Sequence, residues 1–244
     1  MNKLNEQDKY VFIDKALFFP KEGIVVFGDL HLGYEEMMKQ EGLSFPVNQV
    51  EQTIEDMQKI FEEIKSKGFK VKKIILIGDV KHYFAFYKPE IYDVREVLHF
   101  LERYAPKENI ILIKGNHDTF SLANKELERY HVEGDIAFTH GNELYPPILD
   151  KKINYIVIGH FHPSVAISEK RGVKREKFKC FLTGKWKGKE VVILPSFLSA
   201  VEGTDVREYN NYCFITNSEL KKFGLYVLSD TGETYKFGKV KDLD

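Results

Sequence analysis

The sequence predicts an α/β fold in which a buried sheet carries polar loops at the ends of its strands. Three observations lead to this prediction. Short apolar runs recur along the first two-thirds of the 244-residue chain, and each ends in glycine or a polar turn. Segments with helical spacing of apolar residues separate several of these runs, which is the alternation that α/β proteins show. The last third has apolar runs paired around turn residues, which favours β-hairpins without crossover helices.

The predicted elements begin with a hairpin made by Tyr10–Ile13 and Ala16–Phe19, two short β-type runs. Two helices are expected between the later strands, at Val47–Lys67, where apolar residues recur at helical spacing, and at Pro89–Tyr104, where proline suits the first turn. Five buried strands end in polar turns, at residues 23–29, 73–79, 109–116, 136–140 and 155–160.

The C-terminal third is expected to form hairpins over residues 177–194 and 211–238, with Lys187-Gly188 and Asp230-Thr231-Gly232 as turns. No linker-like tract rich in proline, glycine or serine interrupts the chain. We therefore expect one domain covering residues 1–244.

The composition favours a folded globular protein. Hydrophobic residues make up 43% of the chain and charged residues 30%, with a formal net charge of −1, so no whole-surface attraction to nucleic acid or to a membrane is predicted. Cys180 and Cys213 are too few for a disulfide framework, and both are expected to be buried thiols. Because the chain shows neither the apolar core of a signal peptide nor the roughly 18 apolar residues of a membrane span, we expect a cytoplasmic protein with no membrane partner.

Short polar motifs follow the five predicted strands. In an open α/β sheet, loops at the carboxyl ends of the strands line one crevice, so positions distant in sequence can converge there. A single motif of this kind is usually just a solvated loop, but five of the eight histidines lie in these turns, and together the motifs indicate a metal centre. They are Asp29-Leu30-His31, Gly78-Asp79, Gly115-Asn116-His117-Asp118, Thr139-His140-Gly141 and Gly159-His160-Phe161-His162.

The order of these motifs over residues 29–162 resembles the signature of the calcineurin-like metallophosphoesterase superfamily, D-x-H, G-D, G-N-H-D, H and G-H-x-H. The resemblance implies a β-sandwich flanked by helices that binds two divalent metal ions. Manganese is the expected metal, and iron, zinc or nickel also suit mixed imidazole, carboxylate and amide ligands. The implied ligands are Asp29, His31 and His162 for one ion, Asn116, His140 and His160 for the other, and Asp79 bridging both.

The chemistry implied by the resemblance is hydrolysis of a phosphate ester. Two metals roughly 3.5–4 Å apart can polarise phosphoryl oxygens, activate a water as the attacking hydroxide and offset the developing charge. The resemblance makes His117 the acid that protonates the leaving oxygen, and Asp118 the carboxylate that orients its imidazole. The alternative for this pair is a capping aspartate beside a surface histidine.

One motif departs from the common superfamily pattern G-D-x-x-D, because the segment Gly78–His82 ends in histidine. Lys81 and His82 are therefore candidates for contacting the phosphate or orienting a ligand. This variant, together with residues 194–197 and Gly203, resembles the prokaryotic ICC-like phosphoesterases. That branch includes ligase-associated enzymes, so the resemblance makes a DNA-repair protein a candidate partner.

Two features bear on the substrate. Residues 170–189 contain nine Lys or Arg and one Glu, and they either recruit nucleotides, nucleic acid or a protein partner, or form a solvated hairpin that guards an edge strand. Four aromatic residues follow Asp79 closely: Tyr83, Phe84, Phe86 and Tyr87. They either stack on bases or form a packing cluster or dimer contact, which is the commoner role of aromatic residues. We expect a phosphodiesterase acting on a nucleotide or nucleic acid. A phosphomonoesterase and a non-catalytic metal-binding subunit are the alternatives, and a homo-oligomer is left open.

Overall fold

A computed structural model of the protein describes residues 8–43, 48–84, 87–119, 122, 125–167, 176–208 and 213–243. Within these residues the strands form one sheet of five strands and one of nine. The strands are β1 (Val11–Ile13), β2 (Ala16–Phe19), β3 (Ile24–Phe27), β4 (Lys73–Leu76), β5 (Ile110–Leu112), β6 (Tyr130–Glu133), β7 (Ile136–Thr139), β8 (Tyr155–Ile158), β9 (Pro163–Ile167), β10 (Glu176–Trp186), β11 (Lys189–Ile193), β12 (Thr204–Asp205), β13 (Gly224–Leu228) and β14 (Thr234–Lys239). The helices are α1 (Tyr34–Gln40), α2 (Gln49–Ser66), α3 (Lys88–Leu101) and α4 (Asn217–Leu220).

The first sheet joins the opening hairpin to three parallel strands, in the order β1-β2-β3-β4-β5. Strands β3, β4 and β5 are parallel, and the segments containing α2 and α3 provide the long crossovers that parallel neighbours need. Helix α2 is capped by Asn48, whose side chain accepts hydrogen bonds from the N–H groups of Val50 and Glu51. Such a cap contributes about 1 kcal/mol and places the start of the helix beside the carboxyl end of β3.

The second sheet has three parallel strands at its centre, β7, β8 and β11, within the order β12-β9-β10-β11-β8-β7-β6. Strands β13 and β14 join it through the long strand β10. The β10–β11 hairpin turns at Lys187 and Gly188, both with left-handed backbone, and β13 and β14 form the other hairpin. The hairpin predicted over residues 177–194 is confirmed. The one predicted over residues 211–238 is confirmed for β13 and β14, but helix α4 occupies part of the range before them.

Alternating side chains along the strands create the apolar layers of the core. Ile24 and Val26 of β3 belong to the layer between the two sheets, together with Phe138 of β7. Val25 and Phe27 point the other way, into the layer that contains the buried faces of α2 and α3. A further apolar layer covers the outer face of the second sheet. The fold is therefore a β-sandwich flanked by helices, which confirms the predicted fold class.

The structure also shows where local patterns were insufficient. Helices α2 and α3 end within three residues of their predicted bounds, but α1 was not predicted, because none of its residues is buried and it lacks an apolar face. Cys180 is buried, whereas Cys213 is only half-buried and its sulfur lies 3.4 Å from the N–H nitrogen of Ile215. The expectation that both thiols are buried was wrong for Cys213, which packs at the margin of the apolar layer on the outer face of the second sheet and is only partly buried there. Among the described helices, none is both long and apolar enough to cross a bilayer.

Candidate metal centre

The carboxyl ends of the parallel strands bring the five motifs together from both sheets. Strands β3, β4 and β5 lead into the loops of Asp29, Asp79 and Asn116, while β7 and β8 lead into those of His140 and His160. Contacts between the sheets establish the convergence. The N–H of His160 donates to both oxygens of Asp29 at 3.2 Å, and Nε2 of His140 lies 3.0 Å from Oδ1 of Asn116.

The first donor set comprises Asp29, His31, Asp79 and His162, with ligand atoms within 4.8 Å of one another. Nε2 of His162 lies 3.3 Å from Oδ1 of Asp29 and 3.4 Å from Nε2 of His31. Nε2 of His31 is in turn 3.8 Å from Oδ2 of Asp79. Two carboxylates and two imidazoles therefore point at one small volume.

The second donor set comprises Asp79, His140 and His160. Nε2 of His140 lies 3.0 Å from Nδ1 of His160 and 3.4 Å from Oδ2 of Asp79. Oδ1 of Asn116, 3.0 Å from the same nitrogen, adds a fourth donor. Asp79 is common to both sets, so the structure brings together all seven residues that the resemblance implied as metal ligands.

The arrangement of the donor atoms suits bound metal ions better than it suits hydrogen bonds among the donors themselves. Nε2 of His140 faces three polar atoms, although an imidazole nitrogen carries at most one proton. Ligand atoms held about 2.0–2.2 Å from a cation lie roughly 3 Å apart, close to the shortest spacings between these donors. Mixed nitrogen and oxygen donors suit Mn, Fe, Zn or Ni, whereas Ca and Mg prefer oxygen alone.

Left-handed backbone aims several of the donors into the centre. Four predicted ligands have positive φ angles: 46° at His31, 43° at Asp79, 64° at His160 and 48° at His162. Residues other than glycine rarely adopt this conformation, which costs of order 1–3 kcal/mol each and is concentrated at functional sites. The backbone of these tight turns is therefore strained, and the strained conformation directs the donor side chains into the centre.

The glycines of the motifs are required by close approach between loops. A Cβ on Gly115 would lie 2.1 Å from Oδ1 of Asp79, and one on Gly78 would lie 2.3 Å from Nδ1 of His140. Only glycine allows the backbone to pass so near these side chains. The G-D and G-N-H-D patterns thus record contacts between loops as well as the donors themselves.

Burial and opposite charge set the pKa values in the centre. Burial alone would raise the pKa of the Asp29 carboxyl, but His162, followed by His140 and His31, lowers it below its ordinary value. Burial would also lower the pKa of His140, yet its hydrogen bond to Asp79 and the charges of both carboxylates raise it to about 9. Burial lowers the pKa of His31 to about 3. Two ionised carboxylates held among imidazoles are an environment that attracts a cation.

His117 lies beside the two donor sets without belonging to either. Its Nε2 is 4.0 Å from Oδ2 of Asp79, and its Nδ1 is 2.5 Å from the backbone oxygen of His82. The side chain is partly exposed, so Nε2 is open to the centre while Nδ1 is held by a carbonyl.

The expected contact between Asp118 and the His117 imidazole is wrong. The Asp118 carboxylate is buried and accepts hydrogen bonds from the N–H groups of Gly115 at 3.0 Å, Lys81 at 3.3 Å and Val80 at 3.4 Å. A buried carboxylate needs such donors, and the backbone of two neighbouring loops supplies them. Asp118 therefore ties the Gly115 loop to the Asp79 loop, and the carbonyl of His82 holds the imidazole instead.

Lys81 and His82, the candidates for substrate contact, differ in their surroundings. Lys81 is 1% exposed and its ammonium donates to the carbonyl of Tyr83, so this side chain contacts backbone, and its role toward phosphate or a ligand stays a prediction. His82 is half-buried, with Nδ1 3.3 Å from Nδ1 of His31 and Nε2 3.0 Å from Sδ of Met37. Of its two predicted roles, the structure favours orientation of a ligand. His31, His82 and His117 also form a third group of close donors.

Sequence reasoning missed the residues that support the Asp29 loop. Nε2 of Gln49, at the start of α2, donates to the carbonyl of His31 at 2.8 Å. Oγ of Ser196 and the N–H of Phe197 donate to the carbonyl of Asp29 at 2.9 and 3.0 Å. Residues 194–197 stood out in the sequence only as a family feature, and no local signal pointed to Gln49.

The structure describes only part of the basic segment, residues 170–189, and of the aromatic segment, residues 83–87. Residues 170–175 and Phe86 lie outside the described residues. The ammonium of Lys179 donates to the carbonyls of Ser196 and Leu198, and that of Lys189 donates to those of Asp150 and Ile153. These two lysines satisfy backbone groups, so part of the local basic excess is structural.

Comparison with known proteins identifies the family. The model of the calcineurin-like phosphoesterase family matches residues 23–196. The chain belongs to the calcineurin-like phosphoesterase family. The match confirms the superfamily predicted from the motifs and supports a hydrolase whose candidate ligands suit divalent metals.

A solved structure shares the fold at low sequence identity. The crystal structure of Pseudomonas putida nuclease MPE aligns with a TM-score of 0.61 and 19% identity, covering 93% of this chain and 94% of that one. A double mutant of Vps29 from Entamoeba histolytica aligns with a TM-score of 0.38, and the wild-type protein bound to zinc with 0.40. Both are 16% identical and cover 88% of this chain, and 99% and 96% of their own. No curated protein sequence matches the chain.

Proposed function

We propose that this calcineurin-like phosphoesterase is a dinuclear metal-dependent phosphodiesterase that acts on a nucleotide or nucleic acid. The observation that carries the proposal is the pair of donor sets that share the Asp79 carboxylate. Metal pairs that share a ligand are typical of enzymes that transfer or hydrolyse phosphoryl groups. Similarity in fold to a protein described as a nuclease supports the substrate class.

The seven donors divide between two cations, for which we propose manganese. Bound there, the cations would polarise the phosphoryl oxygens, lower the pKa of water and offset the negative charge of the transition state. Asp79, which belongs to both donor sets, would hold both cations. Asp29, His31 and His162 would complete one site, and Asn116, His140 and His160 would complete the other.

His117 is the proposed proton donor. Water attacks phosphorus and forms a new P–O bond, while the P–O bond to the leaving group breaks with its electron pair. The leaving oxygen takes the proton from Nε2 of His117, and the attacking water loses one of its protons to solvent. Because the carbonyl of His82 can only accept, it keeps the other proton on Nδ1 and leaves Nε2 facing the centre.

The function is tested with purified protein loaded with Mn²⁺. Metal analysis after gel filtration should find two ions per chain, and hydrolysis of bis-p-nitrophenyl phosphate should exceed that of p-nitrophenyl phosphate. A preference for the monoester would identify a phosphomonoesterase. Two bound ions without hydrolysis of either ester, or of a DNA or RNA oligonucleotide, would identify a non-catalytic metal-binding subunit and overturn the proposal.

A further inference from the structure

Phe84 presents an open aromatic ring at the edge of the candidate metal centre. Its side chain is 57% exposed, although many phenylalanines of the described chain are fully buried. One face of the ring stacks on His117, with centroids 4.0 Å apart and the rings inclined by 28°. Nε2 of the same imidazole is 4.0 Å from Oδ2 of Asp79, so Phe84 lies one side chain away from the shared carboxylate.

Backbone contacts hold the segment that carries this ring beside the loop of His117. The carbonyl of Phe84 accepts a hydrogen bond from the hydroxyl of Thr119, two residues beyond His117. The imidazole beneath the ring is held in turn by the carbonyl of His82. Two hydrogen bonds therefore join residues 82–84 to the loop of His117, at the place where the ring of Phe84 stacks on the imidazole.

We propose that the outer face of Phe84 binds the nucleobase of the leaving nucleoside, directly next to the scissile phosphate. The inference rests on the proposed function and adds a specificity-determining residue to it. His117 protonates the leaving oxygen, and Phe84 lies on His117, so the group stacked on Phe84 belongs to the leaving side of the diester. Every base has a π face, and stacking on an aromatic ring tolerates all four bases. Phe84 therefore favours nucleoside leaving groups over leaving groups without a ring, with little base preference.

The test uses a dinucleoside monophosphate, thymidylyl-thymidine, and two analogues in which one or the other thymidine is replaced by an abasic tetrahydrofuran sugar. The nucleoside that keeps the phosphate in the product shows which side leaves. For the parent protein with Mn²⁺, removing the base on the leaving side should lower kcat/KM by about 5- to 150-fold, the range that base–aromatic stacking supplies. Removing the retained base should have much less effect.

The variant Phe84→Ala should bring the ratio of kcat/KM between the parent substrate and the leaving-side abasic analogue close to one. Phe84→Tyr, which keeps the ring, should preserve the ratio and serves as the matched control. If Phe84→Ala slows both substrates equally and keeps their ratio, the ring only positions His117 and the inference is overturned. Equal hydrolysis of the three substrates by the parent protein overturns it without any variant. If the parent protein hydrolysed none of the three substrates and did not hydrolyse bis-p-nitrophenyl phosphate either, the result would count against the proposed function instead.

Discussion

Replacing Gly115 with alanine is expected to disable the metal centre without removing any donor. The added Cβ would lie 2.1 Å from Oδ1 of Asp79 and 2.2 Å from its backbone nitrogen. Ordinary van der Waals contact begins at 3.4 Å, so the Asp79 carboxylate and the Gly115 loop must separate by about 1.3 Å, the difference between 3.4 and 2.1 Å. The end of a flexible side chain could move aside at little energetic cost, but here the added Cβ also clashes with the backbone nitrogen of Asp79.

The displacement moves the carboxylate that both donor sets share. Misplacing a catalytic group by about 1 Å commonly costs on the order of 10²-fold in rate, and the loss of metal should affect both sites because Asp79 belongs to both. Overpacking of this kind costs about 1–3 kcal/mol of folding stability, against about 5–15 kcal/mol for a typical domain. We therefore expect a folded variant with weakened binding of both ions and a rate on bis-p-nitrophenyl phosphate reduced by about 10²-fold or more.

Metal content by mass spectrometry, kcat/KM on bis-p-nitrophenyl phosphate and Tm would be measured for Gly115→Ala and for the matched control Gly224→Ala. Neither glycine has a left-handed backbone, and a Cβ on Gly224 meets its nearest neighbours at 3.6 Å, an ordinary contact. The control should therefore retain metal and activity. If Gly115→Ala bound two ions as tightly as the parent and turned over at the same rate, the close approach between the loops would not govern the centre.

Three further predictions concern individual side chains of the centre. Asp79→Asn should abolish turnover and weaken both metal sites, because the shared carboxylate is lost; a metal titration that still showed two tight ions would contradict the bridging role. His117→Asn should slow the hydrolysis of esters with alkoxide-like leaving groups by about 10²–10⁴-fold and affect that of acidic phenol esters much less, with metal content unchanged. A uniform loss of rate together with loss of metal would instead make His117 a metal ligand. His82→Asn should retain metal affinity, because the amide oxygen of asparagine can replace Nδ1 as the partner of His31. His82→Gln should weaken metal affinity by about 10–100-fold. Identical metal titration curves for the two variants would show that this contact does not orient His31.

The sequence by itself determined the fold class and the chemical character of the site. Apolar runs ending in polar turns specify buried strands, and parallel strands of one sheet end at the same edge, so donors far apart in sequence could be expected to meet. Asp29 and Asp79 are examples, because they follow β3 and β4, which are parallel neighbours in the first sheet. Helix α2 was predictable for a similar reason, because its buried side repeats at helical spacing.

Only the tertiary structure decided how the surrounding side chains are used. Asp118 directly follows His117, yet its carboxylate accepts hydrogen bonds from backbone N–H groups of two loops instead of holding that imidazole. Lys81 is buried against a carbonyl, and the ring of Phe84 lies open on His117. These outcomes depend on the directions of side chains and on distances between separate loops. Spacing along the chain does not specify either quantity, because both follow from how the two sheets and their connections pack against each other.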